Sequence, residues 1–185
     1  MNVRETGLSG LKVIEPRRHA DERGFFSESW NRKSLLDAGI HLDFVQDNHS
    51  FTLNKDAIRG LHYQAPPFGQ TKLVRCGRGS LFDVAVDARR GSPTYGNWFG
   101  IELSFDNGLQ LLVPEGFLHG FVTREPETEI VYKVTNTFNA ASDGAVRWDS
   151  CGINWGIKAP TAISEKDANA VAFDAFESPF EWNPA

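Results

Sequence analysis

The chain predicts an all-β fold, a β-sandwich of the jelly-roll kind with a few short helices. Three observations carry this. Runs of β-branched and aromatic residues recur along most of the chain, Gly, Pro, Asn or Asp separates many of them, and several runs alternate apolar with polar side chains. Short strands at such close spacing suit a sandwich or barrel. The 185 residues suit one domain, spanning 1–185, with a sizeable core.

The elements follow in order. "LKVIEP" (11–16) and "GFFSESW" (24–30) are the first strand signals. "NRKSLLDAG" (31–39) reads as a short helix ending at Gly39. "DFVQDNHSFT" (43–52), "TKLVRCG" (71–77) and "SLFDVAVDAR" (80–89) resume the strands. In the last of these, Phe82, Val84 and Val86 fall on one face and Asp83, Ala85 and Asp87 on the other. "WFGIELSF" (98–105), "LQLLVP" (109–114), "GFLHGFVT" (116–123) and "EIVYKVTNTF" (129–138) complete the set. "SEKDANAVAF" (164–173) predicts a second helix with Ser164 as N-cap, and the tail "ESPFEWNPA" (177–185) irregular chain. No repeat, linker or low-complexity segment interrupts the series.

With 41% hydrophobic and 23% charged residues the composition is that of a soluble globular protein. A net charge of -5 argues against nucleic acid as a partner, and an anionic substrate would need a local cluster of Arg and Lys. Cys76 and Cys151 form neither a disulfide framework nor a CxxC pair, which suits a reducing cytosol. The opening "MNVRETGLSG" has no apolar signal core, and no apolar run approaches the ~20 residues that cross a bilayer. The expectation is a soluble cytoplasmic protein.

Any single histidine is by default an ordinary interior or surface residue. His19 and His41 stay under that reading, and His49 is left open. His62 in "RGLHYQ" and His119 in "PEGFLHGF" have more telling neighbours. The second stretch matches the second cupin motif, Pro-x-Gly-x-x-His, but the His-x-His of the first motif is absent. Two histidines without an obvious carboxylate fall short of the three protein ligands usual for a catalytic metal, so no metal and no cofactor is expected. Instead Arg59, Lys72 and Arg75 lie close in sequence, Tyr132 sits inside an apolar strand, and "SEKD" offers Lys166 and Asp167. A buried Tyr bonded to backbone and a solvated helix start are the bland accounts of the last two. Taken together, imidazole, ammonium, phenol and carboxylate supply a base, an oxyanion stabiliser, an acid and an orienting group, the parts for proton abstraction beside a carbonyl.

"DERGFF", "QDNHS", "RGLHYQ", "KLVRCGRGSLFDVAVDARRGSPTYG", "PEGFLHGF", "VYKVTN" and "AISEKDAN", in this order and spacing, resemble the dTDP-4-dehydrorhamnose 3,5-epimerase family over most of the chain. The resemblance implies a cupin-like jelly roll, a homodimer and no metal. It implies epimerisation of dTDP-4-keto-6-deoxyglucose at carbons 3 and 5 to dTDP-4-keto-L-rhamnose. A relative acting at one carbon only, or on another nucleotide 4-keto sugar, is the nearest alternative; a metal-dependent cupin oxygenase and a non-catalytic carbohydrate-binding jelly roll are more distant ones. By the same resemblance His62 is the catalytic base with Asp167 as its partner, Tyr132 the proton donor on the opposite face, and Lys72 the group at the 4-keto oxygen. Arg23, Glu28, Gln46, Asp47, Asn48, Arg59, His119 and Lys166 match substrate-binding positions, Arg23 and Glu28 on a strand contributed across the dimer. Phe138 stands where the family has a tyrosine stacked on thymine, and Asp143 where it has Glu.

The chemistry is coherent with those roles. The ketone acidifies the protons on both flanking carbons, so one enolate strategy serves both. Imidazole, with a pKa near ~6.5, is a suitable base, and a carboxylate beside it fixes its tautomer. Inversion needs reprotonation from the other face and hence a separate acid. One conflict stands out: in a regular strand Arg59 and His62 face opposite sides. Both are expected at one substrate, so Gly60 predicts a bulge that re-aims one of them.

Overall fold

Among the described residues thirteen strands and two short α-helices follow one another as β1 (Asn2–Glu5), β2 (Lys12–Glu15), β3 (Arg18–Asp21), β4 (Gly24–Ser27), α1 (Arg32–Asp37), β5 (Gln46–Thr52), β6 (Ile58–Gln64), β7 (Lys72–Arg78), β8 (Ser80–Asp87), β9 (Trp98–Ser104), β10 (Gln110–Val113), β11 (Phe117–Thr123), β12 (Thr128–Val134), β13 (Asp143–Ala145) and α2 (Glu165–Ala168), with a 3-10 turn at Phe173–Ala175. The structure is a computed structural model that describes residues 1–184. One sheet has the order β1-β2-β10-β7-β12-β5, the other β13-β6-β11-β8-β9, and β3 and β4 form a separate hairpin. All these pairings are antiparallel. Among the described residues no helix is long and apolar enough to cross a membrane.

The two sheets share an inner core. Val74, Cys76, Leu111 and Ile130 from one meet Leu81, Ala85, Leu103, Phe117 and Phe121 from the other. Each sheet also buries its outer face. Ile14, Leu73 and Leu112 lie under Leu35 of α1 and Ile40. Ile58, Val84, Val86, Leu118 and Val122 lie under Trp155, Phe176 and Phe180. The expected alternation of β8 therefore holds, but both of its faces are covered, and Asp83 and Asp87 are buried charges.

Several elements differ from the sequence expectation. β1 and the β3–β4 pairing were not foreseen, and "GFFSESW" is strand only over Gly24–Ser27. The 129–138 run leaves the sheet after Val134. Asn31 caps α1, its Oδ1 accepting the Ser34 N–H at 3.1 Å. Ser164 caps α2 as expected, but the helix covers four residues only. Asn169 closes it by donating from Nδ2 to the Glu165 carbonyl, and Val171 then bridges to Val146. The tail has no long element, although Phe180 is buried; Ala185 lies outside the described residues.

The expected irregularity in β6 is present. His119 of β11 pairs with His62, and Phe121 pairs with Arg59. Two steps along β11 thus match three along β6, so Arg59 and His62 both turn to the inner face. Gly60 makes the offset, at φ +131°, and the Gly60–Leu61 peptide is cis. A Cβ there would lie 2.5 Å from Gly120 Cα and 2.9 Å from the His119 carbonyl oxygen. Both obstacles are backbone. Gly60→Ala is therefore expected to cost about 3 kcal/mol or more in urea unfolding, from the φ penalty and the clash together. A variant as stable as the parent would show that the strand can realign without the glycine.

Candidate active site

Cross-strand register sorts the inward side chains. On the six-stranded sheet Tyr132 lies opposite Val74 of β7 and Asn48 of β5, and Val134 lies opposite Lys72 and Gln46. Cross-strand partners share a face, so Lys72, Tyr132, Gln46 and Asn48 line one wall. The other wall carries Arg59 and His62 from β6, His119 from β11 and Asp83 from β8.

His62 has a fixed partner. Its Nε2 lies 2.7 Å from Asp167 Oδ1, and Asp167 is only 2% exposed. The second carboxylate oxygen accepts the Gly60 N–H at 3.1 Å, and the Asp167 N–H donates to Ser164 Oγ. Burial pushes the Asp167 pKa up, but the bond and charge of His62, the Gly60 N–H and Ser164 outweigh it and hold the carboxyl below its ordinary value. An ionised carboxylate only accepts, so Nε2 carries the proton and neutral His62 keeps its lone pair on Nδ1. A cavity of about 360 Å³ opens here, lined by Arg59, His62, Lys166 and Asp167 among others. Arg59 is braced against β5 by Thr52 Oγ1 at 3.1 Å and the Phe51 carbonyl at 3.0 Å.

The opposite wall supplies the acid and the cation. Burial raises the Tyr132 pKa, Arg59 opposes the rise and Asp143 adds to it, so the phenol keeps its proton at neutral pH. Its hydroxyl has no hydrogen-bond partner among the described residues, unlike an ordinary core tyrosine. Burial lowers the Lys72 pKa to about 8; Asp83 and Asp143 pull it up and Lys166 pushes it down.

Asp83 was passed over in the sequence. It is fully buried, its Oδ1 lies 2.8 Å from His119 Nε2, and its Oδ2 has no partner among the described residues. A buried carboxylate oxygen left unpaired is costly and marks a site rather than a scaffold. Its only trace in the sequence is a charge within an apolar strand. Gln64, also unremarked, holds the loop after β12. Lys166, which lines the cavity, pairs with Asp143, and Phe138 is exposed.

Three matched residues stand elsewhere. Alternation turns Asp47 to the outer face, where it pairs with Lys133 at 3.1 Å. Arg23, its side chain 84% exposed, pairs with Asp21 on the β3–β4 hairpin, and Glu28 bonds Ser34 Oγ. Neither contacts the cluster within one chain. Among the described residues no three His, Cys, Asp or Glu side chains converge as metal ligands.

Known proteins share this architecture. The family pattern described as dTDP-4-dehydrorhamnose 3,5-epimerase matches residues 5–175. A dTDP-4-dehydrorhamnose 3,5-epimerase from Sinorhizobium fredii is 48% identical over 175 residues, 91% of this chain and 88% of that one. The crystal structure of a dTDP-6-deoxy-D-glucose-3,5-epimerase from Legionella pneumophila in complex with dTDP-4-keto-L-rhamnose superposes with a TM-score of 0.94 at 38% identity, covering 99% of each chain. That of a dTDP-4-dehydrorhamnose 3,5-epimerase from Bacillus anthracis with TDP and PPi bound does so with 0.90 at 44%, covering 93% of this chain and 99% of that one.

The charge balance around Lys72 is open to titration. Asp83 is the foremost group holding its pKa up. Asp83→Asn is expected to move the Lys72 midpoint, read by NMR of the ammonium or its adjacent methylene, downward from about 8. An unmoved or higher midpoint would show that Asp83 does not act on Lys72.

Proposed function

The chain belongs to the dTDP-4-dehydrorhamnose 3,5-epimerase family, and from that premise we propose how its residues divide the reaction. It is an isomerase of cupin-like fold that inverts carbons 3 and 5 of dTDP-4-keto-6-deoxyglucose. One observation carries the mechanism: His62 with Asp167 stands on one sheet, Tyr132 on the other, both facing the same interior.

His62 Nδ1 removes the proton beside the ketone, and Asp167 steadies the imidazolium. Lys72 donates to the C4 oxygen as it gains negative charge; one such donor is typically worth ~3 kcal/mol. Tyr132 returns a proton to the opposite face of the same carbon, and its phenolate recovers a proton before the next cycle. The role of Lys72 needs the ammonium, so the rate falls as pH rises through about 8. Asp83 keeps that ammonium charged and fixes His119, whose Nε2 it occupies. Arg59, His119 and Lys166 supply the cationic and donor groups for the diphosphate. This local excess is how a chain of net charge -5 holds an anion.

Two further readings belong to the proposal. The protein is a homodimer in which Arg23 and Glu28 complete the partner's site, supported by their bonding to Asp21 and Ser34 rather than to their own cluster and by the exposed Phe26 on the same hairpin. It works in the cytoplasm, in keeping with its two free cysteines.

Incubation with dTDP-4-keto-6-deoxyglucose in heavy water, followed by NMR, tests the division of roles. His62→Ala is expected to lose deuterium exchange at both carbons while still binding the nucleotide sugar. Tyr132→Phe is expected to keep exchange with retained configuration, because His62 can return a deuteron on its own face, while inversion falls sharply. Exchange and inversion falling together by one large factor in Tyr132→Phe would remove Tyr132 as the acid. Complementation tests the dimer: Arg23→Ala and His62→Ala chains, each weak alone, are expected to regain about a quarter of wild-type activity when mixed and reassociated. No regain, or a fully active monomer in sedimentation, would refute the shared site.

A further inference from the structure

Residues 135–142 cross from the six-stranded to the five-stranded sheet, and a glutamine from each sheet holds this loop. Gln64 of β6 is 5% exposed. Its Nε2 donates to the Phe68 carbonyl and, at 3.0 Å, to the Thr137 carbonyl; its Oε1 accepts the Asn139 N–H at 2.9 Å. Gln46 of β5 accepts the Phe138 N–H at Oε1, at 3.0 Å, and donates from Nε2 to Asn48 at 2.8 Å. The backbone is thus tied before, at and after Phe138, while the ring of Phe138 is 62% exposed.

A large apolar ring held out to solvent on a fixed backbone gains little from folding. It is useful to a flat ligand, because the ordering entropy of the loop is already lost and binding does not lose it again. Past the ring the same crossover runs into β13, where Asp143 pairs with Lys166, and Lys166 also lines the His62 cavity. A ligand with a flat base and a phosphate between base and sugar would span ring, cation and base in that order.

We infer that Gln64 is a positioning residue for the nucleotide: acting through the Thr137 and Asn139 backbone, it fixes Phe138 as a preformed platform for the substrate's base. Gln46 is the second arm of the clamp rather than a group whose amide oxygen is free for the substrate. The inference rests on the nucleotide-sugar reading above. It separates two tasks carried by one strand, since His62 and Gln64 lie two residues apart on β6.

Gln64→Met keeps length and removes all three bonds. With dTDP-4-keto-6-deoxyglucose as substrate, KM is expected to rise roughly tenfold while kcat stays within about twofold. By calorimetry the affinity for dTDP is expected to fall by a similar factor, whereas inorganic pyrophosphate, which has no base, binds as before. In a Phe138→Ala background Gln64→Met is expected to add less than about twofold, because its effect passes through that ring. Should Gln64→Met fail to fold, Gln64→Glu, which keeps an acceptor for the Asn139 N–H and loses both donated bonds, is expected to shift KM and dTDP affinity in the same direction. The proposal is overturned by unchanged dTDP affinity in a folded variant, by equal losses for dTDP and pyrophosphate, by a fall in kcat at constant KM, or by full additivity with Phe138→Ala. A wild-type protein that binds no dTDP would instead overturn the nucleotide-sugar reading first, and this inference with it.

Discussion

A strand that turns its side chains to alternate faces cannot present both Arg59 and His62 to one cavity, and β6 does so because it carries one extra residue at Gly60. Asp167 fastens that offset. One of its oxygens takes the Gly60 N–H and the other takes His62 Nε2. A single buried carboxylate therefore closes the bulge, orients His62 and ties α2 to the sheet. The lone pair of His62 Nδ1, the placement of Arg59 against β5 and the position of Lys166 on the same short helix all follow from that contact.

The interior of a sandwich is an expensive place for polar groups. Lys72, Tyr132, Asp83 and His119 interrupt a core otherwise built of aliphatic and aromatic side chains. Burial disfavours charge on Lys72 and Tyr132 alike, and the two shifts have complementary effects: the phenol stays a competent acid, while the ammonium stays charged only below about 8. Asp83 shows why the arrangement is tolerated. With one oxygen on His119 and the other unpaired, it lends negative charge to the interior without consuming the lysine in a closed ion pair. In the proposed mechanism this local cost serves electrostatics aimed at a developing enolate, while both outer sheet faces are buried.

Strand alternation made much of this legible. It sorted Phe82, Val84 and Val86 from Asp83, Ala85 and Asp87, and it turned the clash between Arg59 and His62 into an expected bulge. The rest depends on contacts between distant segments. Nothing local says that β3 pairs with β4, that Val171 pulls the chain out of its helix to meet Val146, or that Trp155 and Phe180 cover the five-stranded sheet. Motif matching likewise treats "QDNHS" as a block, whereas pleating splits it: Gln46 and Asn48 turn inward and Asp47 outward to Lys133. Asp83 and Gln64 were missed because their roles depend on partners 36 and 73 residues away.

On the roles proposed for His62 and Tyr132, the two walls also explain how one base and one acid can serve two carbons. In the D-gluco ring the hydrogens on carbons 3 and 5 are both axial and on the same face. Each inversion therefore removes a proton toward one wall and adds a proton from the other, with no need to turn the sugar over. Carbon 4 lies between them, and its oxygen is the atom the proposed mechanism assigns to Lys72. Anchored there, the ring needs only a small in-plane shift to bring either hydrogen to His62, while either carbon stays open to Tyr132 behind it. The shift is limited by what fixes the far end of the substrate. A nucleotide held on Phe138, as proposed, would let the sugar pivot without letting it leave, so the clamp on that loop and the dyad on β6 would act on one motion from its two ends.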